Sequence, residues 1–392
     1  MIFEYFIGPK RPLSWTFQFW PVLVISVVFG LLATWVCKKI ALKYGIVDRP
    51  DDTVKTHKEP TAYLGGVGIF IGLAAGILAG VWCFKEDVGA SRWLMGILTG
   101  SAIACFVGLV DDVYDLRPSH KIFGQIIASI PLIAAGVMPA LNPFLRPFGL
   151  SMPDSVEWAI GVPIVILTVL GATNSLNLLD GLDGLCAGVT AIIAIALLFL
   201  AVHLATWGWS EVRDPVRMII CLALVGGVCG FLPFNRAPAK IFMGDAGSML
   251  LGFVVAAIIM LFAKAFPRWW AASLVVFGLP ILDTAVALAR RWLNKKRLFV
   301  SDRGHIYDQM IDRGLSLKKT VKVCYALAAV YAFIGLAMSQ IRTRYAIIAY
   351  IIVVVVSALT VWKMGFLKME GLRGAIKKTG AEKSNNSGCG KN

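Results

Sequence analysis

The sequence predicts an all-α, polytopic integral membrane protein with about eleven transmembrane helices. Of the 392 residues, 58% are apolar and only 16% are charged, whereas a soluble domain carries about 25% charged residues. The mean hydropathy is +0.76, and so little charge cannot cover a water-exposed surface. Apolar runs recur along the chain without strand-type alternation, which argues against a membrane β-barrel. We therefore expect one membrane domain, residues 1–362, and a basic, disordered cytoplasmic tail, residues 363–392.

The apolar runs give the individual helices, because about 20 apolar residues are needed to cross the hydrocarbon core. The eleven expected spans are residues 19–36, 64–84, 93–110, 122–141, 158–174, 184–204, 217–234, 247–265, 270–288, 320–340 and 345–362. The fifth and sixth are the weakest, since a polar motif separates them.

The basic residues predict the orientation of these spans. Of the 38 Lys and Arg residues, 27 fall in or beside the tail and the loops that follow odd-numbered spans. By the positive-inside rule these segments are cytoplasmic and the N-terminus is outside. This bias also explains the net charge of +15, so a membrane surface is expected as the partner and nucleic acid is not. The expected location is the cell (inner) membrane.

Almost every polar cluster near a span end falls on the expected cytoplasmic side. The third loop begins with Asp111 and Asp112 and continues to Asp115, directly after an apolar run. Adjacent carboxylates at a span end are costly to desolvate unless a cation or a proton lies between them. We interpret them as a general base or a metal–phosphate site, with Lys121 in the same loop as a phosphate ligand. The alternative is an acidic helix end that faces water.

The fifth loop carries two amides and two carboxylates in an apolar context. Asn174 and Asn177 are one helical turn apart and would share a face. Asp180 and Asp183 are each followed by glycine, which suits a tight break where the backbone approaches a ligand. Helix capping alone would explain one of these carboxylates, but not the set.

The seventh loop predicts a site for a hard cation. Gly244 and Asp245 are followed by Gly247 and Ser248 at the start of an apolar helix. This spacing brings backbone N–H groups and one carboxylate together, which suits Mg²⁺ with a substrate phosphate in its shell. The alternative is that Ser248 is simply the N-cap of the helix.

The ninth loop is the longest and most basic. Arg303 and His305 follow Asp302, and Arg and His side chains can hold a diphosphate. In the first loop, His57 lies among charged residues before a Gly-Gly pair. A single histidine in such a loop is more often structural than a ligand.

These motifs together resemble one family. The segments GIVDRPDDTVKTHKEPTAYLGG, GLVDDVYDL, NSLNLLDGLDGL and FMGDAGSMLLGF, in this order, and PILDTAVALARRWL before the ninth loop are similar to the polyprenyl-phosphate N-acetylhexosamine-1-phosphate transferases. That superfamily includes the phospho-N-acetylmuramoyl-pentapeptide transferases and the enzymes that start O-antigen, common-antigen and teichoic-acid linkage units. The likeness covers about residues 40–320.

The resemblance implies an eleven-span fold and transfer of a sugar-1-phosphate, most closely GlcNAc-1-phosphate, from a UDP-sugar to undecaprenyl or another polyprenyl phosphate. It implies release of UMP and dependence on Mg²⁺, with Mn²⁺ as a substitute. A homodimer is a further expectation. The implied catalytic residues are Asp111, Asp112 and Asp245, and the implied metal ligands are Asp245 and Asn177. The resemblance implies that Asp180, Asp183, Arg303 and His305 bind substrate, and the loop motifs above add Asn174, Lys121, His57 and Gly244 to the predicted substrate-binding residues.

One departure from the family pattern concerns the sugar. Where common-antigen and teichoic members carry a His-x-His-His run, this chain has His305, Ile306, Tyr307 and Asp308. Two imidazoles are thus replaced by a phenol and a carboxylate. The spacing of residues 301–305 is still closer to the N-acetylglucosamine branch.

Two other functions fit parts of the sequence. The DDxxD string at 111–115 is of the type that membrane prenyltransferases use to bind Mg²⁺-diphosphate, but those enzymes need a second Asp-rich helix. A secondary transporter would use buried Asp and Asn residues to bind ions, but near the bilayer midplane and often in two related halves. The polar motifs here lie at span ends on one side.

Overall fold

The computed structural model describes residues 11–48, 60–84, 91–145, 149–207, 213–295 and 304–367. Within them, the helices are α1 (Leu13–Phe17), α2 (Trp20–Tyr44), α3 (Gly65–Cys83), α4 (Ser91–Tyr114), α5 (Pro118–Ala134), α6 (Asn142–Leu145), α7 (Asp154–Leu179), α8 (Leu185–Trp207), α9 (Asp214–Asn235), α10 (Gly244–Ala263), α11 (Pro267–Val276), α12 (Gly278–Leu293), α13 (Ile306–Asp312), α14 (Leu317–Met338) and α15 (Thr343–Lys363). Three short strands are β1 (Val47–Asp48), β2 (Thr61–Tyr63) and β3 (Ile241–Phe242).

The prediction of an all-α polytopic fold is confirmed. In the described part of the chain, nine helices are long and apolar enough to cross a membrane, with α1 and α2 counted as one. The expected ninth span is a broken helix, α11 and α12, bent by 69°. The expected fourth span is α5, which has only 17 residues and contains Pro131. Residues 368–392, most of the expected tail, lie outside the described residues.

Several helices are longer at the polar end than the apolar runs indicate. Asp111 and Asp112 belong to the last turn of α4, and Asn174 and Asn177 to the end of α7. Asp245 and Ser248 lie in the first turns of α10, so Ser248 is not the N-cap. A helix satisfies its own backbone hydrogen bonds, so it continues past the apolar run until polar groups or water replace them.

Helix α10 is the centre of the bundle. All residues of its most apolar 18-residue segment are buried, whereas only 11% of the corresponding segment of α15 is buried. Helix α10 packs against α3, α4, α7 and α11, and a helix that is apolar on all sides belongs in such a position. The outer helices turn large apolar side chains outward, as Ile351, Val355 and Trp362 do on α15, which is the surface a lipid bilayer requires.

A small sheet joins two loops that are distant in sequence. Strand β1 pairs antiparallel with β2, and β2 pairs parallel with β3, with Ala62 opposite Ile241. The N–H of Gly66 at the start of α3 donates to the carbonyl of Met243 just before α10, at 3.0 Å. The first and seventh loops therefore lie on the same face of the bundle, as the distribution of basic residues predicts.

Candidate active site

Three charged side chains from three helices meet at one end of the bundle. The Lys121 ammonium, in the first turn of α5, lies 2.5 Å from Asp245 Oδ2 and forms an ion pair with Asp111 Oδ2. The other oxygen of Asp111 accepts the N–H of Leu116 at 2.9 Å. Asp111 is only 6% exposed, and a buried carboxylate needs such a partner. The structure thus brings together three predicted site residues that are up to 134 positions apart.

Asp112 faces a different group, the N-terminus of α10. Its two carboxylate oxygens accept the N–H groups of Asp245, at 2.7 Å, and of Ala246, at 3.1 Å. A carboxylate at this position satisfies unpaired N–H groups and stabilises the positive end of the helix dipole. Gly244 precedes them with φ of 67°, and a Cβ on it would overlap the Asp112 carboxylate. Asp112 therefore holds the backbone that carries Asp245.

The two asparagines of α7 have different partners. Asn177 donates its amide to Asp245 Oδ1, at 2.7 Å, and to Ser248 Oγ, at 3.0 Å. Asn174 donates to Gln125 on α5, at 2.9 Å, and to the carbonyl of Leu170. Only Asn177 therefore contacts Asp245, while Asn174 ties α7 to α5 beside the site.

The turn between α7 and α8 holds two carboxylates in different settings. Asp180 is half-buried at the end of α7. Burial, followed by the negative charges of Asp245, Asp112 and Asp183, raises the pKa of Asp180 to about 8. Asp183 Oδ2 accepts the N–H of Ala239 at 2.9 Å, which joins this turn to the seventh loop. Of the two carboxyl groups in this turn, Asp180 is therefore the one whose ionised form a bound cation would stabilise.

His305 of the ninth loop pairs with a residue that the sequence analysis did not single out, Asp283 of α12. His305 Nδ1 lies 2.8 Å from Asp283 Oδ2, and Asp283 Oδ1 accepts the N–H of Ile306 at 2.6 Å. Asp283 lies in the middle of α12, inside an apolar run. An acidic residue within a span is a functional candidate by default, so the signal was present in PILDTAVALARRWL.

Tyr307, one of the departures from the family pattern, packs on this pair. Its ring is stacked on the His305 ring, with centroids 5.7 Å apart. Its hydroxyl donates to the carbonyl of Leu178 at 3.2 Å, and a Cβ on Gly181 would overlap it. Tyr307 therefore joins the ninth loop to the turn that carries Asp180. Two other predicted residues, His57 and Arg303, lie outside the described residues.

The donor set at α10 is consistent with Mg²⁺. Among the residues described, no group of three or more His, Cys, Asp and Glu side chains could hold a metal ion. Mg²⁺ does not require one, since it is commonly held by one or two carboxylates together with substrate phosphate and water. Asp111 and Asp245 already converge on one cation, the Lys121 ammonium. Asn177 presents its amide nitrogen to Asp245, so it would have to turn its oxygen inward to act as a ligand.

Comparison with known proteins identifies the family. Residues 94–263 match the model of glycosyl transferase family 4. A probable undecaprenyl-phosphate N-acetylglucosaminyl 1-phosphate transferase of Bacillus subtilis is 30% identical over 325 residues, which cover 81% of this chain and 84% of the relative. A decaprenyl-phosphate N-acetylglucosaminephosphotransferase of Mycobacterium tuberculosis is 28% identical over 323 residues, 79% of each chain.

A relative with a different named substrate also matches, over a shorter part of the chain. A phospho-N-acetylmuramoyl-pentapeptide-transferase of Bacillus mycoides is 33% identical over 231 residues, 56% of this chain and 67% of the relative. The family match includes α4, α7 and α10, the helices that carry Asp111, Asn177 and Asp245. The chain belongs to glycosyl transferase family 4, as a multi-pass membrane sugar-phosphate transferase among the polyprenyl-phosphate N-acetylhexosamine-1-phosphate transferases.

Proposed function

We propose that this enzyme transfers N-acetylglucosamine-1-phosphate from its UDP-sugar to undecaprenyl phosphate, with Mg²⁺, and releases UMP. The observation that carries the proposal is the convergence of Asp111 and Asp245 on one cation at the N-terminus of α10. The reaction must bring two anionic phosphate groups together, and the Lys121 ammonium offers positive charge for them at this position. The product would start a lipid-linked glycan of the cell envelope.

The chemistry assigns a role to each charged side chain. An oxygen of the lipid phosphate attacks the sugar-bound phosphorus, and the bond from that phosphorus to the UMP oxygen breaks, so that UMP leaves with the electron pair. Mg²⁺ held by Asp245 would offset the negative charge that gathers on these phosphate groups. Asp111 Oδ2 would take the proton of the lipid phosphate. The Lys121 ammonium, which lies beside Asp111, would bind an oxygen of that phosphate.

We favour direct attack by the lipid phosphate over a covalent intermediate on an aspartate. Both oxygens of Asp245 have partners, Asn177 and Lys121, and both oxygens of Asp111 are also engaged. A nucleophilic carboxylate would have to give up one of these contacts in the apolar interior. Direct attack by the lipid phosphate requires neither carboxylate to form a covalent bond to phosphorus.

The remaining residues would bind the donor substrate. In this proposal Asp180 and Asp183 hold the nucleotide, and His305 with Arg303 holds the diphosphate and sugar. Sugar identity is supported by the names of the Bacillus and Mycobacterium relatives, which specify N-acetylglucosamine.

An apolar groove lies one helix away and suits the isoprenoid chain. Its volume is about 260 Å³, and apolar side chains of α11, α12, α14 and α15 form almost all of its lining. Two of the hydroxyls in its lining, those of Tyr331 and Ser357, are hydrogen-bonded to each other at 2.6 Å, so neither needs a polar partner from a ligand. Helix α12 carries Asp283 and also Ile281 and Leu282 of the groove, so tail and headgroup would lie on either side of one helix.

The position of the site at one face of the bundle indicates the side of the membrane to which it opens. The site lies at the ends of helices next to the first and seventh loops, which the sheet joins. Because the basic residues gather in these odd-numbered loops, we propose that the site opens to the cytoplasm, where UDP-sugars are made. The transporter alternative is not favoured, since these residues lie at span ends rather than at the midplane.

The test is release of UMP from UDP-N-acetylglucosamine by the purified protein in detergent. We expect release only when undecaprenyl phosphate and Mg²⁺ are both present, with Mn²⁺ as a partial substitute. Activity with a different UDP-sugar would correct the sugar alone. If the protein releases no UMP from any UDP-sugar tried, although its melting curve shows that it is folded, the proposed reaction is rejected.

Substitution of Asp180 tests whether its ionised carboxylate destabilises the folded protein and is nevertheless required for activity. With the folded pKa raised from 3.8 to about 8, the stability contributed by protonated Asp180 is present below about pH 4 and is lost as the pH rises through 8. In metal-free protein, Asp180→Asn should therefore melt as wild type does near pH 4 and at a higher temperature near pH 8, by about 2–4 °C for each kcal/mol of the penalty that is removed. With Mg²⁺, its transferase activity should fall at least about tenfold.

The measurement is a melting series against pH in chelator, beside UMP release with Mg²⁺. A melting difference that does not change with pH would show that the charge of Asp180 is not what destabilises the site. Activity equal to that of the wild type would remove Asp180 from the nucleotide site.

A further inference from the structure

A second polar cluster lies where α12 meets α13, apart from the three charges at α10. Asp283 is 1% exposed and His305 is 4% exposed. A carboxylate in the interior of a membrane helix is unfavourable unless donors satisfy it. Both of its oxygens have one: Oδ2 contacts His305 Nδ1 at 2.8 Å, and Oδ1 accepts the N–H of Ile306 at 2.6 Å.

These contacts determine which ring nitrogen of His305 carries the proton. An ionised carboxylate only accepts hydrogen bonds, so Nδ1 must be the donor. The other nitrogen, Nε2, points away from Asp283 on the far side of the ring. It has no hydrogen-bond partner among the described residues. The neutral ring is then the tautomer with a proton on Nδ1 and a lone pair on Nε2.

Two more contacts keep the ring in place. Tyr307 covers one face of it, and the Tyr307 hydroxyl is anchored to Leu178 next to Asp180. The Arg290 guanidinium donates to the carbonyl of Gly304 at 2.6 Å, which fixes the backbone just before His305. The imidazole is thus restrained through Nδ1, through one face of the ring and through the adjacent backbone. Nε2 remains available to bind a ligand.

We propose that Asp283 is a positioning residue that orients His305 and sets its tautomer, so that Nε2 is presented to the UDP-sugar. This proposal rests on the proposed transferase function for the identity of the ligand. Asp283 itself does not touch substrate. Partners that orient a functional imidazole through its second nitrogen typically change activity by about 10–100-fold when they are replaced.

The first test reads the tautomer directly and does not require activity. Nitrogen-15 shifts are recorded on histidine-labelled protein at about pH 9, above the ordinary histidine pKa of about 6.5. The chain has four histidines, and the His305→Asn spectrum assigns the signals. We expect the wild type to carry the proton on Nδ1. In Asp283→Asn the amide can donate to Nδ1, so the proton should move to Nε2. The same tautomer in both proteins, or a proton on Nε2 in the wild type, would overturn the proposal.

The second test is kinetic. Asp283→Asn and His305→Asn should each lower kcat/KM for the UDP-sugar by about 10–100-fold, with the KM for undecaprenyl phosphate unchanged. An asparagine at 305 can still donate to Asp283 but lacks Nε2. If Asp283 acts through Nε2, the double variant should lose no more than either single variant.

The outcomes separate the two roles of Asp283. Losses that multiply in the double variant, together with a lowered melting temperature in Asp283→Asn, would mean that Asp283 only anchors α13 through Ile306. Ser129→Ala is the matched control for loss of one buried hydrogen bond, since the Ser129 hydroxyl donates to the carbonyl of Ile126 within α5 at 2.6 Å; we expect its kcat/KM for the UDP-sugar to be unchanged. If the wild type releases no UMP with any UDP-sugar, the proposed function fails, and the nitrogen shifts still decide the tautomer.

Discussion

Asp245→Asn is expected to abolish Mg²⁺-dependent transfer, with a loss of at least about 10³-fold, the upper range for one preorganised electrostatic group. The change removes the negative charge that holds Lys121 and that would hold Mg²⁺. It keeps the size of the side chain, and Asn177 can still donate to the remaining oxygen. The protein should therefore stay folded. UMP release over a range of Mg²⁺ concentrations, beside the melting temperature, measures both effects.

Asp115→Asn is the matched control for this variant. Asp115 follows α4 with φ of 48° and is exposed, and asparagine tolerates such a conformation as well as aspartate does. We expect activity close to that of the wild type. If Asp115→Asn were as inactive as Asp245→Asn, Asp115 would be a ligand, as the DDxxD prenyltransferase hypothesis requires. Wild-type activity in Asp245→Asn would remove Asp245 as the metal ligand.

Gly108→Ala is expected to inactivate the enzyme although it adds only a methyl group. Gly108 lies in α4, where a Cβ would overlap the backbone carbonyl of Asp245 and the N–H of Ala246. Backbone cannot move aside as a flexible side chain can, so α4 would be pushed away from α10. The contacts of Asp112 with the N-terminus of α10 are about 3 Å long and would be lost with this shift. We expect an activity loss of about 100-fold or more, since misplacement by 1 Å can have that effect.

Gly171→Ala provides the comparison for a glycine within a membrane helix. Gly171 lies inside α7, and a Cβ there meets no atom within 4 Å. Alanine has the higher helix propensity, so activity and melting temperature should equal or slightly exceed the wild-type values. Parallel UMP-release and melting measurements decide the matter. Equal activity in the two variants would mean that close contact between α4 and α10 does not position Asp245.

The sequence supported the principal site residues because their chemistry is unusual for their surroundings. Carboxylates at the ends of apolar runs need a cation or a proton, which pointed to Asp111. A carboxylate among glycines at a helix start suits a hard cation, which pointed to Asp245, and the structure brings both to one ammonium. The first of these arguments also applied to Asp283, but its position inside an apolar run hid it among span residues. Its role depends on His305, 22 residues later, and sequence spacing does not show that contact.

Neighbouring segments decided contacts that single segments of the sequence do not show. Ser248 resembles an N-cap, yet α10 begins at Gly244 because a carboxylate from α4 takes the place of a cap. Asn174 and Asn177 share a helix, but they turn to different neighbours, α5 and α10. Hydrogen bonds of this kind join residues that are far apart in sequence, so the local periodicity of the sequence does not predict them.

The sequence by itself determined that this is a helical membrane protein and that its polar motifs gather at one end of the bundle. Both follow from solvation, since apolar runs must meet lipid and charged residues must not. Only the tertiary structure decided that Asp111 faces Lys121 whereas the adjacent Asp112 faces the N-terminus of α10. Consecutive residues of a helix point about 100° apart, and the packing of α4 on α10 at Gly108 fixes which of the two points into the site.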